Sequence, residues 1–153
     1  MARILMVCSA NQCRSPMAEV LFRQLLVEED LKDWDVVSAG VWAQPGFAAT
    51  PTAVTAMHER GLNLSTHLSR PVTAELLEKV DLVLVMERRH QEAMGASFPQ
   101  FMDKFHLLGE MAGISREVDD PVGEPLERYR ETASDIHYYL LEALPNMRKL
   151  LDE

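Results

Sequence analysis

Cysteine is scarce. Only two thiols, Cys8 and Cys13, occur in 153 residues, which excludes a disulfide framework and a four-cysteine zinc site. Both are expected to start as free thiols in a reducing compartment. Long apolar runs are also missing: nothing approaches the roughly 18 residues needed to span a bilayer. Ile4-Leu5-Met6-Val7 is too short for an export signal and lacks a small-residue cleavage site after it. The chain is therefore expected in the cytoplasm, with no membrane partner. Positive charge is the third shortage, since 15 basic against 24 acidic side chains leave a formal charge of −9. A nucleic-acid partner would need a concentrated basic face, and the longest basic cluster, Arg88-Arg89-His90, is too short. No nucleic acid is expected. His58, His67, His90, His106 and His137 contain no i, i+4 pair, so a helical metal site is not expected either.

What is present describes one folded unit. Hydrophobic residues make up 47% and charged residues 25%, the balance of a globular protein, and the length suits a single domain over residues 1–153. Ile4–Val7 reads as a strand buried on both faces. Ser15 as N-cap and Pro16 as first helical residue open a helix carrying Met17, Val20, Leu21 and Leu25. A second strand at Val36-Val37 is expected to end at Ser38-Ala39-Gly40. Thr50-Pro51 repeats the cap-plus-proline signal for a helix stopping near Gly61, and Thr73 opens another through Lys79. Asp81–Met86 is the clearest internal strand, followed by a helix from Arg88 to Ser97 and a weaker strand at Phe105–Leu108. Tyr129, Ala133, Ile136, Leu140, Ala143, Leu144 and Met147 trace one face of a long terminal helix, which Pro145 is expected to kink. This alternation predicts an α/β fold: an open, mostly parallel sheet of about four strands, with ligands bound beyond the strands' carboxyl ends.

The loop after the first strand, Cys8-Ser9-Ala10-Asn11-Gln12-Cys13-Arg14-Ser15, therefore stands where chemistry is expected. Its small and polar residues let successive N–H groups turn inward into an anion-binding nest, reinforced by the positive end of the following helix. The overall negative charge means that an anion must be held by such local geometry. The same field favours a thiolate and makes Cys8 the expected nucleophile. Arg14 offers a planar donor fork for two phosphoryl oxygens, and Ser15 can donate a hydrogen bond to the sulfur. A cysteine with an arginine six residues on is a weak signal alone; its place between a strand and a proline-started helix gives it weight. Phosphoryl transfer to a cysteine also needs an acid for the departing group and a base for the water. Asp120, fixed by Pro121, is the candidate, although Asp-Pro by itself more often marks a turn.

These residues resemble the low-molecular-weight protein-tyrosine phosphatases over nearly the whole chain. The likeness is carried in order by Cys8 to Glu19, Ser38-Ala39-Gly40, Ser65-Thr66-His67, Asp81 to Met86 and Asp120-Pro121. It implies a flavodoxin-like four-stranded sheet with helices on both faces, and no metal or other cofactor. Cys8 is then the nucleophile, Arg14 the phosphate clamp and Asp120 the acid and later the base. The phosphate loop comprises Ser9, Ala10, Asn11, Gln12, Cys13 and Ser15. Asn11, Ser38 and His67 are implied to hold that loop through hydrogen bonds. A phosphorylated protein is the implied partner and inorganic phosphate the product.

Two departures bear on the substrate. Ala10 replaces the family's usual glycine, where a positive φ would cost about 1 kcal/mol. Gln12 replaces the aliphatic residue of tyrosine-directed members and the threonine of members acting on phosphoarginine, and Val122-Gly123 stands where aromatic residues often follow Asp-Pro. Gln12, Trp42 and Val122 are the expected substrate wall. Stacking on Trp42 favours phosphotyrosine, with phosphoarginine the alternative. An arsenate reductase is disfavoured, because no further redox cysteine lies near the third strand. A non-catalytic phosphoprotein-binding module is disfavoured because Cys8, Arg14 and Asp120 are all present.

Overall fold

Unbroken apolar runs build a sheet with two greasy faces, and the site is set by where its strands end. A computed structural model describes residues 1–152; of the domain expected over 1–153, Glu153 lies outside the described residues. The elements in chain order are β1 (Ala2–Cys8), α1 (Arg14–Glu28), β2 (Trp34–Gly40), α2 (Pro51–His58), α3 (Ala74–Lys79), β3 (Leu82–Val85), α4 (Arg88–Ser97), β4 (Phe105–Leu107), α5 (Leu108–Met111) and α6 (Leu126–Asp152). A short 3-10 helix, Pro99–Lys104, precedes β4. All strand pairs are parallel, in the order β2-β1-β3-β4. The strand order reverses beside β1, so its carboxyl end opens at the crevice where such sheets bind ligands.

Residues two apart along a strand share a face. Ile4, Met6, Leu82 and Leu84 join one core with α1, α2, α5 and α6, while Leu5, Val7, Val83 and Val85 join another with Leu77 of α3 and Met94 of α4. All seven apolar positions expected on α6 are buried. That helix runs unbroken in secondary structure through Pro145 to Asp152.

β1 is longer than expected at both ends, β3 shorter at both, and α2 stops at His58 rather than near Gly61; three further boundaries differ for a local reason. Ser15 is not the cap of α1: Cys13 holds that position without a side-chain cap bond, because the Ser15 hydroxyl turns to the Cys8 sulfur, 2.9 Å away. Ser38-Ala39-Gly40 belongs to β2 rather than ending it, since Met6, Val7 and Cys8 still pair with those residues. Leu108 leaves β4 to start the short α5. Thr50 and Thr73 do cap their helices, accepting from the amides of Ala53 and Leu76.

Candidate active site

The loop from Cys8 to Arg14 hangs between the end of β1 and the start of α1 as a strained turn. Its one positive φ is 57° at Asn11, not at Ala10. Asparagine tolerates the left-handed region better than alanine does, and four partners fix it there. The Asn11 side-chain amide donates to Ser15 Oγ at 2.9 Å and to Ser38 Oγ at 3.0 Å. Its Oδ1 accepts from the Arg70 N–H at 3.0 Å, and its carbonyl accepts from His67 Nε2 at 2.7 Å. The Ser38 hydroxyl in turn donates to Glu19 Oε1 at 2.7 Å. Gly40 lies beneath the turn, where an added Cβ would sit 2.6 Å from the Ser9 carbonyl oxygen and 2.8 Å from the Asn11 nitrogen. Only glycine lets the backbones approach so closely.

Held this way, the loop presents donors with nothing to donate to. The amides of Ala10, Asn11, Gln12 and Cys13 have no backbone acceptor among the described residues. Together with the α1 N-terminus they form an anion cradle. Cys8 lies at its base, 3% exposed, with its Sγ accepting from the Ser15 N–H at 3.4 Å and facing Ser15 Oγ at 2.9 Å. Cys13 differs: burial above all, then the charge at Cys8, pushes its thiol up to about 12, so it stays protonated at neutral pH.

Arg14 is 1% exposed and oriented from behind. Its Nη1 donates to Glu87 at 2.5 Å and to the Val118 carbonyl at 2.7 Å, leaving Nη2 facing Asp120 Oδ2 at 3.6 Å. Burial tends to raise the Glu87 carboxyl, but hydrogen bonds from Arg89 and Arg14 outweigh it and hold Glu87 below its ordinary value. Val118 also fastens the Asp120 loop to the residue just past β3, its N–H donating to the Met86 carbonyl at 3.0 Å. Asp120 is thus poised over the cradle, with its Oδ1 accepting from the Val122 N–H at 3.1 Å. Asp119 turns outward to Arg128 at 3.4 Å.

A cavity of about 140 Å³ is lined by Cys8, Ser9, Ala10, Gln12, Cys13, Arg14, Thr50, Asp120 and Val122. Gln12 and Val122 are therefore on its wall and Trp42 is not. The Trp42 N–H pairs with the Ser9 carbonyl, and its ring lies against α4, 5.3 Å from the Arg89 guanidinium and 5.9 Å from the His90 ring. Thr50, read from sequence only as a helix cap, also lines the cavity, and its N–H donates to the Gln12 carbonyl at 2.8 Å. Glu87, Val118 and Glu19 are further residues that the sequence reading gave no role in the site. Among the described residues no three His, Cys, Asp or Glu side chains converge to hold a metal, and no helix is long and apolar enough to cross a membrane.

The sequence profile of the low molecular weight phosphotyrosine protein phosphatases matches residues 3–151. The chain belongs to that family. Members of this family are cysteine-dependent phosphatases, in keeping with buried Cys8 and Arg14 side chains that line one cavity. The protein-arginine-phosphatase of Bacillus subtilis (strain 168) is 39% identical over 147 residues, covering 95% of this chain and 97% of its own. The low molecular weight protein-tyrosine-phosphatase Wzb of Escherichia coli (strain K12) is 37% identical over 139 residues, covering 91% and 87%. A crystal structure of a YwlE mutant from Bacillus subtilis superposes with a TM-score of 0.92 at 37% identity, covering 97% of this chain and 99% of that one.

Behind the cradle, His90 is fully buried. Burial first, then the charge of Arg14, pushes its imidazole down from 6.5 to about 4. A depressed base is neutral in the fold and takes up a proton on unfolding, so its contribution is fully present above pH 6.5 and is lost as pH falls toward 4. His90→Gln, which keeps a side-chain N–H, should therefore lose less stability than the parent between pH 7 and 5, by about 2 kcal/mol. Urea unfolding at both pH values checks this; parallel losses would show that His90 is not the titrating group.

Proposed function

We propose that the protein hydrolyses phosphorylated protein side chains through a phosphocysteine at Cys8, and that phosphoarginine is its preferred substrate. The chemistry rests on one observation: the Cys8 sulfur lies at the α1 N-terminus within a cradle of free amides, with Arg14 Nη2 and Asp120 at the rim. The amides and Arg14 hold the phosphoryl oxygens and stabilise the charge they gain in the transition state. The Cys8 thiolate attacks phosphorus while the bond to the departing oxygen or nitrogen breaks, and Asp120 gives that atom its proton. In the thiolate form sulfur only accepts, so the Ser15 hydroxyl donates to it, which also eases its later departure. Asp120, now ionised, takes a proton from water as that water attacks the phosphocysteine. Inorganic phosphate leaves and the thiolate is restored. A free nucleophilic thiol of this kind needs a reducing compartment, which supports the cytoplasm as the site of action.

The choice of substrate turns on the wall. Trp42, whose stacking would favour phosphotyrosine, instead rests its ring against Arg89 and His90. No aromatic residue lines the cavity, so a phenyl ring has no stacking partner there. Gln12, Thr50 and Asp120 provide side-chain oxygens that can accept from guanidinium N–H groups. The 39% identity to a protein named as a protein-arginine-phosphatase supports the same reading. Phosphotyrosine remains the second reading, favoured by the 37% identity to Wzb. Specificity constants for matched phosphoarginine and phosphotyrosine peptides should favour phosphoarginine by about tenfold or more, because a site built to hydrogen-bond discriminates strongly. Gln12→Ile should shift the ratio toward phosphotyrosine. A parent preference for phosphotyrosine would overturn the substrate assignment.

A further inference from the structure

The Ser9 hydroxyl sits among more donors than it has lone pairs. His90 Nδ1 accepts from the Glu87 N–H at 3.1 Å. A backbone N–H can only donate, so the ring's proton is on Nε2, which lies 2.8 Å from Ser9 Oγ and donates to it. Arg89 Nη2 donates to the same oxygen at 3.1 Å, and Arg14 Nη2 lies 3.5 Å away. Guanidinium nitrogens are donors only. His90 and Arg89 therefore fill both lone pairs of the Ser9 oxygen, and its own proton must point elsewhere. No acceptor for that proton is present among the described residues, and Ser9 lines the cavity beside Cys8 and Arg14.

We propose that Ser9 is a catalytic residue in its own right: its hydroxyl donates to an equatorial phosphoryl oxygen, and His90 and Arg89 are positioning residues that force it to do so. The proposal rests on the phosphocysteine reading above and adds a side-chain donor to the amide cradle. Its logic is preorganisation: a hydroxyl left free would spend part of its time accepting, whereas this one is saturated as an acceptor before substrate arrives. The device also gives a purpose to a buried, neutral histidine that touches no substrate. Arg89 is itself held in place by Glu87 and by the Trp42 ring. The orienting group is therefore built from one short stretch, Glu87 to His90, which follows β3 at the sheet's carboxyl edge.

The test reads turnover of an aryl phosphate and inhibition by two anions, orthovanadate as a five-coordinate mimic of the transition state and inorganic phosphate as a ground-state ligand. Ser9→Ala should lower kcat by about tenfold or more, the usual worth of a hydrogen bond to a charged group. It should weaken vanadate more than phosphate, since charge on the equatorial oxygens is greatest in the transition state. Ser9→Thr, which keeps the hydroxyl, should remain within about threefold of the parent. His90→Phe should lower kcat much as Ser9→Ala does, and should add nothing in a Ser9→Ala background, whereas a merely structural role would give additive losses. If His90→Phe fails to fold, His90→Gln, which retains a donor, should stay near parental activity, and the Ser9 series decides by itself. Equal weakening of both anions, additive losses, or a Ser9→Ala enzyme within about twofold of the parent would overturn the proposal. Loss of activity in Cys8→Ser alongside an insensitive Ser9→Ala would sink this inference alone; an active Cys8→Ser would instead sink the reading beneath it.

Discussion

Cys8→Ser is expected to reduce turnover by roughly four to six orders of magnitude, as removal of a covalent nucleophile does, while inorganic phosphate still binds. The two halves of this result come from different atoms. Binding is the work of the loop amides and Arg14, none of which the substitution touches, and serine replaces sulfur with a smaller atom at a position already 3% exposed. Chemistry fails because a serine hydroxyl lacks the ready ionisation of a thiol, and Ser15 provides a hydrogen-bond donor rather than a base. No second sulfur can take over, since Cys13 is held protonated by burial. Calorimetric titration with phosphate, beside a turnover assay, checks both halves. Activity within about tenfold of the parent would remove Cys8 from the mechanism.

Asp120→Ala should cost about two to four orders of magnitude on substrates with poor leaving groups, the usual contribution of a general acid. The loss should be much smaller on activated nitrophenyl esters, whose leaving oxygen departs without a proton. Asp119→Ala should do little, because that side chain points away to Arg128 at the surface. Plotting log kcat/KM against leaving-group pKa for the parent and both variants separates the two carboxylates. A steep, leaving-group-dependent loss in Asp119→Ala would reverse the assignment. A uniform loss in Asp120→Ala across all esters would show that its role is to hold Arg14 rather than to move a proton.

Much of this arrangement was legible from spacing. Strand-end cysteine, polar loop and proline-started helix are local features, and local features dictate local geometry. The buried stripe of α6 was equally readable, since helical periodicity is written directly into Tyr129, Ala133, Ile136 and their successors. What sequence concealed was contact between distant segments. Glu87 and Val118 lie 73 and 104 positions from Arg14, yet together they aim its guanidinium. Nothing in their neighbourhoods distinguishes them from an ordinary surface glutamate and core valine. Trp42 shows the converse error: its place two residues past Gly40 puts its Cα near the mouth, but the backbone pairing with Ser9 swings the ring onto α4. In sequence the backbone strain is expected at Ala10, which stands in place of a glycine. The fold puts that strain one residue later, on an asparagine whose side chain has the partners to bear it.

The central claim is a covalent phosphoryl group on Cys8, and the most direct measurement traps it. The parent enzyme and Asp120→Ala are mixed with an excess of phosphorylated substrate, quenched within the first turnover, digested and read by mass spectrometry under conditions that spare thiophosphate bonds. The account predicts a phosphorylated peptide containing Cys8 in both enzymes. With an activated ester it predicts a larger fraction in Asp120→Ala, where the first step survives but the base for the second is gone. A phosphoryl group on any other residue, or product release in a full turnover with Cys8 never modified, would contradict it.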